Sequence, residues 1–206
     1  MANNVQQKQG SGGQIIKLAL VLLAVAAVIA LVLGFINSIT EGPIKAYNDN
    51  KTAQAYANVM EGYNGDEAEV LYDVNDKENA AEMEKVKAVI EPDGNSITKL
   101  VKAANGYVAE TEFSGAQGMI TMVIGLDNDL NCTGIYVTEH SETSGLGAKA
   151  AETSDGAWRD NLLGQGDGLN LKKNGGSVEA ISGATITSTA VVKEVQTVID
   201  AVKALG

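Results

Sequence analysis

The sequence is poor in the residues that most redox and hydrolytic proteins rely on. Of 206 residues only Cys132 is a cysteine, which rules out an intrachain disulfide, a C-x-x-C redox pair or an iron–sulfur cluster built from this chain alone. Electron chemistry here would need a cofactor of another kind. His140 is the only histidine, and no serine lies in a G-x-S-x-G elbow, so a Ser–His–acid hydrolase lacks its framework. Basic residues are also scarce. Fifteen Lys+Arg face 26 Asp+Glu, for a formal charge of −11 and an isoelectric point near 4.5, which excludes nucleic acid as a partner because its phosphates require Lys and Arg. There is no glycine fingerprint for a nicotinamide dinucleotide.

Residues 1–40 contain no acid. Within them Leu18 to Thr40 carries no charge at all and is dominated by Leu, Val, Ile and Ala. As a helix this run reaches roughly 34 Å at about 1.5 Å per residue, enough for a hydrocarbon core about 30 Å thick. A cleaved signal peptide fits less well, since its apolar region is shorter and Phe35-Ile36-Asn37-Ser38-Ile39-Thr40 is a poor cleavage site. The expectation is a flexible tail over 1–14, a transmembrane helix over 15–40, a juxtamembrane helix and acidic segment over 41–95, and a folded domain over 96–206. Lys8 and Lys17 flank the span on the N-terminal side, leaving 13 Lys+Arg against all 26 Asp+Glu beyond Thr40, a net of −13. The positive-inside rule then predicts a single-pass protein of the cytoplasmic membrane, with the N-terminus cytoplasmic and the large domain on the outer face. One helix encloses no ion path.

Past the span, Glu41-Gly42-Pro43 reads as a break, followed by a looser helical pattern from Ile44 to Met60. A short strand is expected at Glu69 to Tyr72 and a helix at Asn79 to Ile90. From Ile97 the period becomes two. Ile97–Ala103, Tyr107–Phe113, Met119–Leu126 and Cys132–Glu139 are strand-like, separated by Asn105-Gly106, Ser114-Gly115 and Asp127-Asn128-Asp129, which are hairpin signals. Asp127 to Asn131 alternates oxygen ligands like a calcium loop, but the sixth position is Cys132 and the twelfth Thr138, so it reads as a turn. The fold class is therefore α+β, an antiparallel meander closed by a C-terminal helix. Residues 164–176, rich in glycine, read as a mobile connection, and Trp158 as a core or groove anchor.

Two segments stand out as chemistry. His140-Ser141-Glu142-Thr143-Ser144-Gly145-Leu146-Gly147 leaves the last strand with hydroxyls, an acid and two glycines, in the kind of loop that carries binding residues. Ser182-Gly183-Ala184-Thr185 precedes a helical pattern with apolar residues at 191, 195, 198, 199 and 202. A small-residue loop opening onto a helix offers amide donors and a positive dipole end, the requirements of a phosphate seat. The plainer alternative is that Ser188 or Thr189 merely caps a helix.

Both segments, with the Thr40-Glu41-Gly42-Pro43-Ile44 exit, Gly106-Tyr107, the Asp127 turn and Val178-Glu179-Ala180-Ile181, occur in the same order in a known family. The chain resembles the G subunits of Rnf electron-transport complexes, whose FMN-binding domain is shared with the C subunit of sodium-pumping NADH:quinone reductases. The resemblance implies covalent FMN, held by a phosphoester to Thr185 that a dedicated flavin transferase installs. It makes Ser182, Gly183 and Ala184 the surrounding loop, and Glu142, Thr143, Gly145, Leu146 and Gly147 the segment that packs on the flavin ring. It further implies an electron carrier, not catalytic alone, within a membrane complex that oxidises ferredoxin and reduces NAD while moving Na⁺ or H⁺, with pumping and NAD chemistry in partner subunits. Ser144 stands where the family usually has Pro, and Glu179 where it usually has Asp. A quinone-reductase C subunit, or an anchored non-redox module holding a phosphate-bearing ligand, are the competing readings.

Overall fold

The period-two pattern from residue 96 onward becomes a sheet whose order along the chain is also its order in space. A computed structural model describes residues 11–75, 84–86, 88 and 96–205. Its elements are helix α1 (Ser11–Val59), strands β1 (Glu69–Asp73), β2 (Ser96–Ala103), β3 (Gly106–Ser114), β4 (Met119–Asp127) and β5 (Cys132–Glu139), and helix α2 (Thr185–Leu205). All four strand pairs are antiparallel, in the order β1-β2-β3-β4-β5. The α+β class and the four longer strands match the pattern read from the sequence, as does β1. The helix expected at Asn79 to Ile90 lies largely outside the described residues.

The chain divides into two units, Met1–Asp49 and Asn50–Gly206. In the first, Gly13–Ile44 is helical and apolar enough to cross a membrane. Its large side chains are exposed all round, Leu22 at 69% and Leu31 at 74%, as expected of a helix whose surroundings are themselves apolar. The break anticipated at Glu41-Gly42-Pro43 does not occur, because α1 runs through Pro43 without interruption. Proline removes one backbone donor, leaving a single carbonyl one turn earlier to find another partner. The cost, about 3 kcal/mol for an interior proline, is offset by the helical bonds continued for many residues on both sides, and the Thr40 hydroxyl bonds back to the Ile36 carbonyl at 3.0 Å in the preceding turn.

In the second unit both sheet faces are covered. On one face Leu100, Ala109, Phe113, Ile120, Met122, Ile124 and Leu126 form the main core with the apolar stripe of α2, in which Val191, Val195, Val198, Ile199 and Val202 are all buried. Full burial of each such side chain favours the fold by about 1.5–3 kcal/mol. On the other face Ala55, Tyr56, Val59 and Met60, at the end of α1, pack on Val101, Ala103, Val108 and Val123. This approach requires the cross-strand pair Gly125 and Gly134, because a Cβ at either would press on the backbone of Val59. Thr133 donates its hydroxyl to the Val59 carbonyl at 2.5 Å and Tyr56 donates to Glu110 at 2.6 Å, closing that contact with polar bonds.

The outer edge of β5 is capped. The 3₁₀ turn Trp158–Leu162 sends Arg159 to the Ile135 carbonyl at 3.0 Å, and Cys132 exchanges backbone bonds with Gln165 and Gly164 at 2.8 Å each. Residues 164–176 are consequently not a mobile connection. Leu169 and Leu171 enter the core, the Leu169 amide donates to the Gln196 side chain at 2.9 Å, and Leu171 bridges to Val178. The glycines there serve turns, among them Gly168 at φ +78° and Gly175 at φ +88°.

One polar group stands out in the core. Glu194 of α2 is fully buried and, among the described residues, neither carboxyl oxygen has a hydrogen-bond partner. Burial pushes its carboxyl up to about 8, with Lys193 pulling weakly the other way. Because the unfolded chain ionises this group near the ordinary 4.5, the stability it confers is complete below that pH and is lost as pH rises toward about 8. Thermal or denaturant unfolding of the chain in detergent should show stability falling by up to about 1.4 kcal/mol per pH unit through this window. Glu194→Gln should flatten that dependence, and an unchanged slope would show that another group titrates.

Candidate functional site

Three turns meet at the end of the sheet where β3 and β4 join. The β3–β4 hairpin closes through a Gly115 amide donating to the Gly118 carbonyl at 2.7 Å. The loop after β5 folds back at Thr143-Ser144-Gly145-Leu146, where the Leu146 amide donates to the Thr143 carbonyl at 3.1 Å and Gly145 has φ +74°. Ile181-Ser182-Gly183-Ala184 repeats the construction, with the Ala184 amide on the Ile181 carbonyl at 2.9 Å and Gly183 at φ +76°. A positive φ at the third position of a four-residue turn selects glycine, and proline is favoured at the second. Ser144 occupies that second position, so a serine there leaves the turn intact.

The second and third turns touch. A Cβ on Gly183 would lie 3.0 Å from Leu146 Cδ2, the end of a flexible, exposed side chain, so it is the backbone angle that requires glycine there. Beneath them Glu142 joins all three. Its Oε1 accepts from the Ala116 and Gln117 amides at 2.8 and 2.9 Å, and its Oε2 accepts from the Thr187 hydroxyl at 2.5 Å. Its own amide donates to His140 Nδ1 at 3.2 Å. Burial pushes the Glu142 carboxyl up, but the Thr187 hydroxyl and then the two amides outweigh it, and the group is held below the usual carboxylate range.

Helix α2 begins at Thr185 itself, three or four residues ahead of the Ser188 or Thr189 that the sequence offers as caps. Ser188 therefore does not cap it from outside. Its amide makes the first helical bond, to the Ala184 carbonyl at 3.0 Å, while its hydroxyl donates to the same carbonyl and accepts from the Ile181 amide at 2.9 Å each. The amides of residues 185–187 precede that first bond and form the donor end of a 21-residue helix. Thr185 is exposed, and its hydroxyl takes part in no hydrogen bond among the described residues. Ile186 beside it is 68% exposed and Leu146 is 41% exposed, an apolar pair in water at the mouth of a polar turn.

The structure thus brings the two sequence segments together and sorts their residues into two layers. Thr143, Gly145, Leu146, Ser182, Gly183 and Thr185 are on the surface, whereas Glu142, Gly147 and Ala184 are buried below it. The hairpin Gly115-Ala116-Gln117-Gly118, and the bond of Thr187 to Glu142, belong to the same arrangement and have no counterpart in the site residues read from the sequence. The two glycines spaced three apart were the available signal for the first. Trp158 anchors the assembly from the side, donating its indole N–H to the Glu179 carbonyl at 2.6 Å, and Glu179 pairs with Lys172 at the surface at 2.6 Å. A cleft of about 800 Å³ opens at the opposite end of the sheet, near Asn105, Asp127 and Val59, and shares no residue with these turns.

Comparison with known proteins bears on this arrangement. A family model described as an FMN-binding domain matches residues 115–200, which begin at the hairpin and end in α2. The chain is 32% identical over 200 residues, 93% of its length and 96% of the relative's, to the G subunit of the ion-translocating oxidoreductase complex of Methanosarcina acetivorans. The chain belongs to the family of ion-translocating oxidoreductase complex G subunits. It is also 32% identical over 186 residues, 86% of each chain, to the G subunit of the Na⁺-translocating ferredoxin:NAD⁺ oxidoreductase complex of Acetobacterium woodii. To the proton-translocating counterpart of Clostridium ljungdahlii it is 34% identical over 100 residues, 47% of this chain and 52% of that one. Within this G-subunit family the chain is a flavoprotein subunit that relays electrons, with an FMN-binding domain matched over residues 115–200.

Gly147 and Gly145 separate packing from backbone strain in this layer. A Cβ on Gly147 collides with Glu142 Oε2 and Thr187 Oγ1, while one on Gly145 meets open space but an unfavourable φ. Gly145→Ala should cost about 1–2 kcal/mol from its left-handed backbone alone. Gly147→Ala should cost about 1–3 kcal/mol and also displace the Glu142 bonds. Thermal unfolding read alongside amide exchange at Ala116 and Gln117 distinguishes them, since only Gly147→Ala should speed that exchange.

Proposed function

We propose that this subunit carries FMN esterified through its phosphate to Thr185 Oγ1 and passes electrons between neighbouring carriers of a membrane complex. The observation that carries the reading is an exposed threonine, its hydroxyl uncommitted, in the first turn of a long helix beside an exposed Leu146. A phosphate bonded at Oγ1 would be held by the amides of residues 185–187, where the helix end favours an anion. Ser182 and Gly183 hold the backbone turn that lets the phosphate approach. Leu146 and Ile186 supply apolar cover for the flavin ring, and Thr143 and Gly145 border it. When bound, FMN supplies one-electron transfer, and the surrounding charges and hydrogen bonds tune it.

Installation of the phosphoester requires a flavin transferase acting on the exposed 182–185 turn. The electrons travel, by analogy with the complexes of the relatives, from ferredoxin toward NAD⁺ and drive Na⁺ or H⁺ across the membrane. This chain is not catalytic alone, because a single span and a single carrier provide neither an ion path nor a nicotinamide site. The acidic domain faces the outside of the cytoplasmic membrane, with Lys8 and Lys17 inside.

Two experiments bear directly on this reading. Co-expressed with a flavin transferase, the denatured chain should fluoresce yellow-green in a gel. Thr185→Val should abolish that signal while leaving the unfolding midpoint within a few degrees of the parent, and fluorescence persisting in the variant would place the flavin elsewhere. Protease added to sealed, intact cells should digest the chain beyond residue 41, whereas complete protection would mean the opposite topology.

A further inference from the structure

We propose that Glu142 is an ionised clasp that positions the flavin site and lowers the flavin's reduction potential without touching the flavin. The inference rests on flavin attachment at Thr185. It makes Glu142 a positioning residue where the family resemblance makes it part of the surface that packs on the ring.

The geometry leaves the carboxylate no free side. It is 8% exposed, Oε1 is occupied by two backbone donors and Oε2 by Thr187. The space around each oxygen is also claimed. Gly115 has no room for a Cβ because Oε1 is there, and Gly147 has none because Oε2 is there. Two glycines on different turns are thus shaped around one side chain, which no ligand can displace without moving both turns.

The donors also define its charge state. Amide N–H groups only donate, so the oxygen that receives two of them acts as an acceptor, as an ionised carboxylate does. No basic side chain forms an ion pair with Glu142 among the described residues. The negative charge is balanced chiefly by hydrogen bonds, with His140 adding a smaller favourable interaction, and its field extends to its surroundings. Thr187 lies in the same helical turn as Thr185 but on its buried side, so the charge sits on the core side of the turn that carries the attachment point. Adding electrons to a group close to a fixed, poorly solvated negative charge is disfavoured. At a separation on the order of 10 Å and an effective dielectric of about 20, one charge shifts such an equilibrium by about tenfold.

Two substitutions divide charge from reach. Glu142→Gln keeps a carbonyl oxygen for the Ala116 and Gln117 amides and an NH₂ group that can donate to the Thr187 oxygen, but removes the charge. Glu142→Asp keeps the charge and shortens the side chain by one methylene, so the hairpin and α2 cannot both be held. Flavin midpoint potentials are measured on the full chain in detergent after co-expression with a flavin transferase. Amide exchange at Ala116 and Gln117 is measured on each variant and also in a Thr185→Val background, which carries no flavin on that residue.

Glu142→Gln should move the two-electron equilibrium about tenfold toward the reduced flavin, about 30 mV upward, with exchange at both amides within twofold of the parent. Glu142→Asp should speed exchange at both amides at least tenfold while its potential moves less than Glu142→Gln's. A potential unmoved by Glu142→Gln overturns the electrostatic role, and exchange unmoved by Glu142→Asp overturns the clasp. Failure of flavin attachment in the parent chain would instead sink the reading of Thr185, while the exchange data in the Thr185→Val background still decide whether Glu142 holds the turns together.

Discussion

The packing of α2 across one face of the sheet is the constraint on which the rest of the second unit depends. Val191, Val195, Val198 and Val202 recur at helical spacing and can be buried only if the helix lies against β3 and β4. That burial leaves the helix little freedom to slide, and so fixes where its first turn projects. Thr185 is consequently held at one end of the sheet, beside the loop leaving β5, by apolar contacts made up to nearly five turns away. Glu142 then completes locally what the core determines at a distance, joining the β3–β4 hairpin, its own loop and Thr187 through one carboxylate.

The opposite face obeys a related logic with different chemistry. A helix end needs close approach to a sheet if small contacts are to bury much area, and here the cross-strand Gly125–Gly134 pair permits it. Tyr56 and Thr133 satisfy polar groups that this approach would otherwise strand. The FMN-binding domain matched at residues 115–200 therefore stands on a sheet that also includes β1, β2 and β3 and that residues 55–60 cover on one face.

Strand positions were legible in the sequence to within one or two residues, because a half-buried antiparallel sheet writes its two faces directly into alternating residues. The hydrophobic span was equally plain. Pro43 misled because a local helix-breaking tendency is weaker than the continuity of a long helix around it. The start of α2 was misplaced for a different reason. Thr185, Thr187, Ser188 and Thr189 have modest helix propensity and read as cap or loop residues, yet Ser188 and Thr189 bond back to carbonyls one turn earlier and Thr187 is committed to Glu142. Residues 164–176 look flexible by composition, and only the tertiary burial of Leu169 and Leu171 orders them. The meeting of the 142–147 and 182–185 turns was legible only through family resemblance. Contact between segments about 40 residues apart leaves no local periodic trace, and at the 115–118 hairpin only the two glycines spaced three apart mark the turn in the sequence.

The central claim, that Thr185 is the point of attachment, is tested most directly by mass spectrometry of the flavinylated chain after trypsin. Cleavage after Lys173 and Lys193 isolates residues 174–193, which hold Ser177, Ser182, Thr185, Thr187, Ser188 and Thr189 as competing hydroxyls. The account predicts that this peptide gains the mass of one FMN less one water, and that fragmentation assigns the gain to Thr185. An adduct on any other hydroxyl, or a flavinylated chain whose 174–193 peptide is unmodified, would contradict it.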